Sequence, residues 1–251
     1  MLGAAATVVI PARLESSRLP RKVLADVAGE TLLKRTHDVA VRAGCGAVLV
    51  LTDAEEVAEE VRSFGGQVMM TGRELESGTA RIAAVVEELR TRVVVNLQGD
   101  AQLTDPAVVA KSAAEAARSE AAVTMPVYRI DSASDLADPN VVKVVRARDG
   151  RVLYCSRSPV PHLRGVPVDT WPERGSFWGH VGLYAYTREF LRAFDELPMS
   201  PLEQTERLEQ LRWLEAGVGL HTFEVAPQGP SVDTPAQLER VRASFRERAP
   251  A

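Results

Sequence analysis

Residues Ala47–Met70 read AVLVLTDAEEVAEEVRSFGGQVMM. Two short apolar runs, Ala47–Leu51 and Gln67–Met70, flank an amphipathic segment of helical length, Ala54–Phe64. Strand, helix, strand in so few residues is a βαβ unit, and such units build a parallel sheet. The same rhythm runs outward in both directions. Upstream lie a strand near Ala6–Ile10, a basic loop and a helix near Thr31–Ala43. Downstream come a helix at Thr79–Arg90, the strand Val93–Leu97, a helix at Asp105–Arg118 and a strand at Ala121–Val127. Caps fit the helix starts, with Thr52-Asp53 before Ala54 and Ser77 before Thr79. The fold class is therefore α/β, with a mostly parallel Rossmann-like sheet flanked by helices.

After residue 127 the rhythm changes. VVKVVRARDGRVLYCS predicts two strands around an Asp149-Gly150 hairpin turn. Residues Ser158–Ser176 are rich in Pro, Gly and Arg and read as loop, and His180–Thr187 reads as a strand. A helix at Glu206–Glu215, a strand near Leu220–Val225 and a helix at Pro235–Arg248 close the chain. The second half is thus an antiparallel insertion that returns to the parallel layer. With no linker in sight, residues 1–251 are expected to form one domain. Residues 1–127 make its first half, 128–230 its second, and 231–251 carry a helix that returns to the first.

The 251 residues carry a formal net charge of -4. General nucleic-acid binding is disfavoured, since such binders carry a basic excess. No run reaches membrane-spanning length, and the start lacks the basic segment of a signal peptide. Cys45 and Cys155, too far apart for a zinc ribbon, suit a reduced cytoplasmic setting. Cys155, within VLYCS, reads as buried packing.

Against the acidic whole, the loop Pro11–Lys22 concentrates Arg13, Arg18, Arg21 and Lys22 with two serines. It follows the first strand, at the edge where open α/β sheets bind ligands. Its guanidiniums and ammonium suit phosphate oxygens, although it is neither a Walker A motif nor a GxGxxG fingerprint. Asp100, in VVVNLQGDAQLTDP, lies at the same edge. It is either a turn residue or a carboxylate that shares a Mg²⁺ with phosphates. Asp233, before Thr234-Pro235, reads as a helix cap unless it reaches Asp100. Ser77, Gly78 and Thr79 open a helix, as a cap or as an anion site. His180 sits among apolar residues, where core packing is the commoner role.

Taken together these motifs resemble one family. Ile10 to Lys22 matches I-P-A-R-x-x-S-[ST]-R-L-P-x-K, Ser77–Arg81 matches S-G-T-x-R, and Asn96–Asp100 matches N-x-Q-G-D. K-V-V follows at Lys143–Val145, L-Y-x-S-R at Leu153–Arg157 and H-x-G-x-Y-x-Y at His180–Tyr186. The S-P-L-E and V-D-T-P blocks begin at Ser200 and Val232. In this order they resemble the 3-deoxy-manno-octulosonate (Kdo) cytidylyltransferase family, of the nucleotide-diphospho-sugar transferase superfamily. The resemblance implies transfer of CMP from CTP to the anomeric hydroxyl of an eight-carbon ulosonic acid, with release of pyrophosphate. It implies Mg²⁺ as cofactor and a homodimer with contacts from the second half.

Carried onto this chain, the resemblance assigns nucleotide binding to Pro11, Ala12, Arg13, Arg18, Lys22, Arg73, Ser77, Gly78, Gln98 and Asp100. It assigns the sugar acid to Gln98, Arg157, His180, Tyr184, Glu209 and Gln210. Asp100 and Asp233 hold the metal and, with Lys22, carry the chemistry. Glu209 and Gln210, one turn inside the expected helix, otherwise read as an exposed helix face. The chain departs from the family pattern at Ala101-Gln102, where Glu-Pro is usual, and at Glu74-Leu75-Glu76, where Asp-His-Gln is frequent. These changes leave open a related acid, amino-substituted or nine-carbon, or a lapsed nucleotide-binding protein.

Overall fold

Strand β1 (Ala6–Pro11) has five of its six residues buried, the pattern of a strand covered on both faces. The structure, a computed structural model, describes residues 6–15, 19–229, 232 and 234–248. Candidates Arg18 and Asp233 lie outside the described residues, as do Ser16 and Ser17. After β1 come β2 (Asp26–Val27), β3 (Glu30–Thr31), α1 (Leu32–Ala43), β4 (Val48–Thr52), α2 (Glu55–Ser63) and β5 (Gln67–Met70). Next are α3 (Gly78–Ala83), β6 (Val93–Leu97) and α4 (Pro106–Arg118).

Four of these strands pair in parallel in the order β5-β4-β1-β6. Alternate side chains feed two cores. Val8, Ile10, Val93 and Val95 pack with Leu33, Val57 and Val109 of α1, α2 and α4. Val9 and Val94 face Ile82 and Ala83 of α3. The strand order reverses between β1 and β6, and a ligand crevice opens at the carboxyl ends of that pair. Local chemistry sets the helix ends. Thr31 and Ser77 accept the N–H groups of Lys34 and Ala80, Asp105 caps α4 ahead of Pro106, and Gly44 ends α1 in the left-handed region.

The second half comprises β7 (Val123–Arg129), α5 (Ala133–Ala137), β8 (Lys143–Arg146), β9 (Val152–Ser156), α6 (Trp171–Arg174), β10 (Trp178–His180), β11 (Leu183–Thr187) and α7 (Arg188–Ala193). Then follow α8 (Pro201–Glu206), α9 (Glu209–Glu215), β12 (Leu220–Glu224) and α10 (Pro235–Arg248). All but the β2–β3 ribbon join one ten-stranded sheet. β10 and β11 run antiparallel along one flank of β7, and β12 runs parallel to its other flank. On their far side, β11 pairs with β6 and β10 with β8. The sheet therefore forks where β6 ends, and β8 continues in its place. Helix α10 lies on Val27 and Leu32 of the first half through Leu238 and Val241.

Four local expectations need correction. The helix expected at Thr79–Arg90 ends at Ala83, and residues 85–89 continue in tighter i→i+3 turns that bury Val85, Val86 and Leu89. The expected loop Ser158–Ser176 contains α6, anchored by buried Trp171 and Pro172. The expected strand His180–Thr187 bends at Val181-Gly182, where the Leu183 N–H donates to the Val181 carbonyl at 2.6 Å. The expected helix Glu206–Glu215 breaks at Arg207, which is left-handed (φ 54°), so that extended Leu208 drops into the core.

Candidate active site

The crevice between β1 and β6 brings the basic loop to Asp100. Lys22, on a single 3₁₀ turn after the loop, places Nζ 2.7 Å from Asp100 Oδ2, with both side chains largely shielded. The backbone is fixed beneath them. The Ala12 N–H donates to the Leu51 carbonyl at 2.8 Å. Gly99 lets the β6 loop approach β1, because a Cβ there would stand 3.1 Å from the Pro11 carbonyl oxygen. Arg13 is exposed and donates through Nη2 to the Glu76 carbonyl at 2.6 Å, which ties the basic loop to the segment before α3. Arg21 is exposed and hydrogen-bonds Glu56, away from Asp100. Arg73 is exposed in the turn before α3.

The first turn of α3 forms one wall. A Cβ on Gly78 would sit 3.2 Å from Pro11 Cγ and 3.6 Å from Asn96 Nδ2, so the helix start lies directly against β1 and β6. Below it a directed chain of hydrogen bonds runs through the sheet. Gln98 donates to Asn96 Oδ1 at 3.2 Å, and Asn96 donates to the Tyr186 hydroxyl at 3.2 Å. The Tyr186 and Thr79 hydroxyls lie 3.0 Å apart, and Thr79 donates to Glu209 Oε2 at 2.6 Å. Thr79 has one hydrogen, so Tyr186 is its donor, and every link points toward Glu209. Burial raises the Glu209 pKa, against the lowering pull of Ser77 and Thr79 hydrogen bonds and of Arg212.

The other wall is β10–β11. His180 and Tyr184 bring their ring centroids to 4.9 Å across the bend. His180 Nε2 is sealed from solvent and has no hydrogen-bond partner, which is not the satisfied core histidine of the commoner expectation. Burial lowers its pKa to about 4. The Tyr184 hydroxyl donates to Gln210 Oε1 at 3.2 Å. Glu209 and Gln210 are not on an exposed helix face. They open α9 and turn inward, with Gln210 3% exposed. Arg157 stands apart from this group, with its guanidinium on the carbonyls of Glu206, Arg207 and Pro139.

Sequence reasoning gave no role to Asn96 or Tyr186, although each falls within a quoted motif, and it read Thr79 only as part of a helix start. The only signal for Asn96 and Tyr186 was a polar group inside an apolar run. It also gave none to Arg81, 2% exposed, which pairs with Asp53 at 3.2 Å and donates to Thr71 and the Gly72 carbonyl, fixing the turn before Ser77. Cys155 is fully buried, and burial raises its thiol pKa to about 12. It is packing, as read.

No three or more His, Cys, Asp or Glu gather into a metal cage among the described residues. Asp100 still suits a divalent cation of the Mg²⁺ kind, which needs one or two carboxylates and takes its other ligands from phosphates and water. A cation bound there would compete with Lys22 for the same carboxylate.

Residues 7–222 match the family model described as cytidylyltransferase. The 3-deoxy-manno-octulosonate cytidylyltransferase of Chlorobium phaeobacteroides (strain BS1) is 44% identical, covering 97% of this chain and 98% of its own. The protein of that name from Escherichia coli is 41% identical, covering 95% of each chain. The chain belongs to the cytidylyltransferase family. Among solved structures, a CMP:2-keto-3-deoxy-manno-octonic acid synthetase complexed with CTP superposes with a TM-score of 0.90. It is 40% identical and covers 97% of this chain and 99% of that one. A glucose-1-phosphate thymidylyltransferase-like structure from Bacillus anthracis, 16% identical with a TM-score of 0.67, shares the fold alone.

Proposed function

We propose that this cytidylyltransferase moves CMP from CTP to the anomeric hydroxyl of 3-deoxy-manno-octulosonate and releases pyrophosphate. The observation that carries the reading is the Lys22–Asp100 pair at 2.7 Å, cation and carboxylate at the β1–β6 crevice, in a chain 44% identical to a relative of that name. The hydroxyl oxygen forms a bond to the α-phosphorus of CTP, the bond to the β-phosphate oxygen breaks, and the hydroxyl proton is released.

The residues divide the work. Lys22 and Arg13 draw the triphosphate into the crevice and hold charge that grows on the departing phosphates. Pro11, Ala12, Ser77, Gly78 and Gln98 line the nucleotide, with Arg73 at the rim. His180, Tyr184, Glu209 and Gln210 form the wall that receives the acid. Neutral His180 shapes that wall by packing its ring against Tyr184. Mg²⁺ would be held by Asp100, with Asp233 as its second carboxylate in this reading, and would neutralise phosphate charge and acidify the attacking hydroxyl. We place the reaction in the cytoplasm, where the two buried free thiols persist. Exposed Leu153, Val168 and Met199 support a dimer contact from the second half.

The test is pyrophosphate release from CTP and Kdo, with and without EDTA. Metal-dependent release is the expected result. Release with an amino-substituted or nine-carbon acid but not with Kdo would reassign the acceptor. CTP binding without release on any acid would make the protein a lapsed binder.

A further inference from the structure

Arg157 and Glu206 hold one another through both side chain and backbone. The Glu206 carboxylate accepts from Ser156 Oγ at 2.7 Å and from the Arg157 N–H at 2.9 Å. In return Arg157 donates from Nε to the Glu206 carbonyl at 2.7 Å and from Nη2 to the Arg207 carbonyl at 3.2 Å. Nη1 reaches the Pro139 carbonyl at 2.9 Å, beside the Asp138 carbonyl that buried Lys143 holds at 2.8 Å. The Glu206 and Arg207 carbonyls lie at the end of α8, where intrahelical partners run out. A guanidinium fork spans such a set of acceptors, and an ammonium does not.

The clamp sits on a strained joint. Arg207 is left-handed at φ 54° and ψ 47°, a conformation that penalises residues with a Cβ. Its direction decides where the next residues land. Two positions on, Glu209 meets Thr79 at the start of α3, and Gln210 meets Tyr184 on β11.

We propose that Arg157 and Glu206 are positioning residues for the transfer, a reciprocal clamp that fixes the α8–α9 joint and so aims Glu209 and Gln210 into the site. Arg157 then acts on the site through the chain. The inference rests on the proposed transfer for its kinetic readout only.

The deciding experiment compares Arg157→Lys, Arg207→Gly and the double variant. Steady-state pyrophosphate release is measured with CTP, Mg²⁺ and Kdo, and hydrogen exchange is followed over residues 207–212. Arg157→Lys should lower kcat about tenfold or more, since small misplacements near a reacting centre have large effects. It should also speed exchange at the joint. Glycine tolerates the left-handed region, so adding Arg207→Gly should recover about fivefold of the loss. Should Arg157→Lys fail to fold, Glu206→Gln takes its place with the same expectation. A rise in the sugar-acid KM alone, with kcat and exchange unchanged and no gain from Arg207→Gly, would show direct binding by Arg157 and overturn the clamp. If the wild type turns over no sugar acid, the transfer reading fails by itself. Exchange then decides the clamp, and unchanged exchange in Arg157→Lys rejects it.

Discussion

Two side chains at the site make opposite demands on protons and charge. Asp100, paired with Lys22, is a largely shielded carboxylate in the crevice. Asp100→Asn is expected to lower pyrophosphate release by about 100-fold or more, because the proposed Mg²⁺ would lose a charged ligand. It should cost only about 1 kcal/mol of stability, the scale of a partly shielded ion pair, with urea unfolding as the check. His180 carries a different signature. Unfolded, it titrates near 6.5, and folded, near 4. Between those values the unfolded chain binds the extra proton, so this contribution is full above pH 6.5 and is lost as pH falls toward 4. Glu209, whose pKa is raised, pulls the other way, so the difference between wild type and His180→Phe isolates the histidine. By urea unfolding, the stability of the wild type relative to His180→Phe should fall by about 3 kcal/mol between neutral pH and pH 4. An unchanged gap would mean that His180 does not titrate in this window. Lys22 and Asp100 were legible as candidates because strand-end loops and charge are local features. Tyr186 was not, because its partners Asn96 and Thr79 lie 90 and 107 residues away, and only the strand register brings them together.

At the scale of elements, strands and crossovers of the first half were readable because burial on both faces writes itself as β-branched runs. The errors share a cause in tertiary packing. The α3 helix shortens where adjacent valines must both reach the core, and the α8–α9 break depends on a guanidinium fifty residues upstream. Neither leaves a trace in local periodicity. The close approach of β1 and the β6 loop is also invisible there, since a glycine after a strand reads as any turn. Gly99→Ala is expected to raise the KM for CTP several-fold and to lower stability by about 1–2 kcal/mol, because the Pro11 carbonyl it meets is backbone and yields little. Isothermal titration with CTP and thermal melting check the two effects. Unaltered affinity would show that the loops slide without harm to the nucleotide subsite.

Across the whole molecule, one sheet takes strands from both halves, and no three His, Cys, Asp or Glu gather into a metal cage among the described residues. Removing divalent cations should therefore abolish turnover while shifting the melting temperature by no more than about 1–2 °C in the absence of nucleotide. A large drop with EDTA would reveal a structural metal instead. The sheet's fork was not foreseeable from composition or spacing, because it depends on the bend at Val181-Gly182. In a regular strand, residues four apart on one face stand about 13 Å from one another, yet the His180 and Tyr184 rings are 4.9 Å apart. The bend works as a ruler folded on itself. It shortens the path along the wall without shortening the chain, and so brings two rings four residues apart into contact.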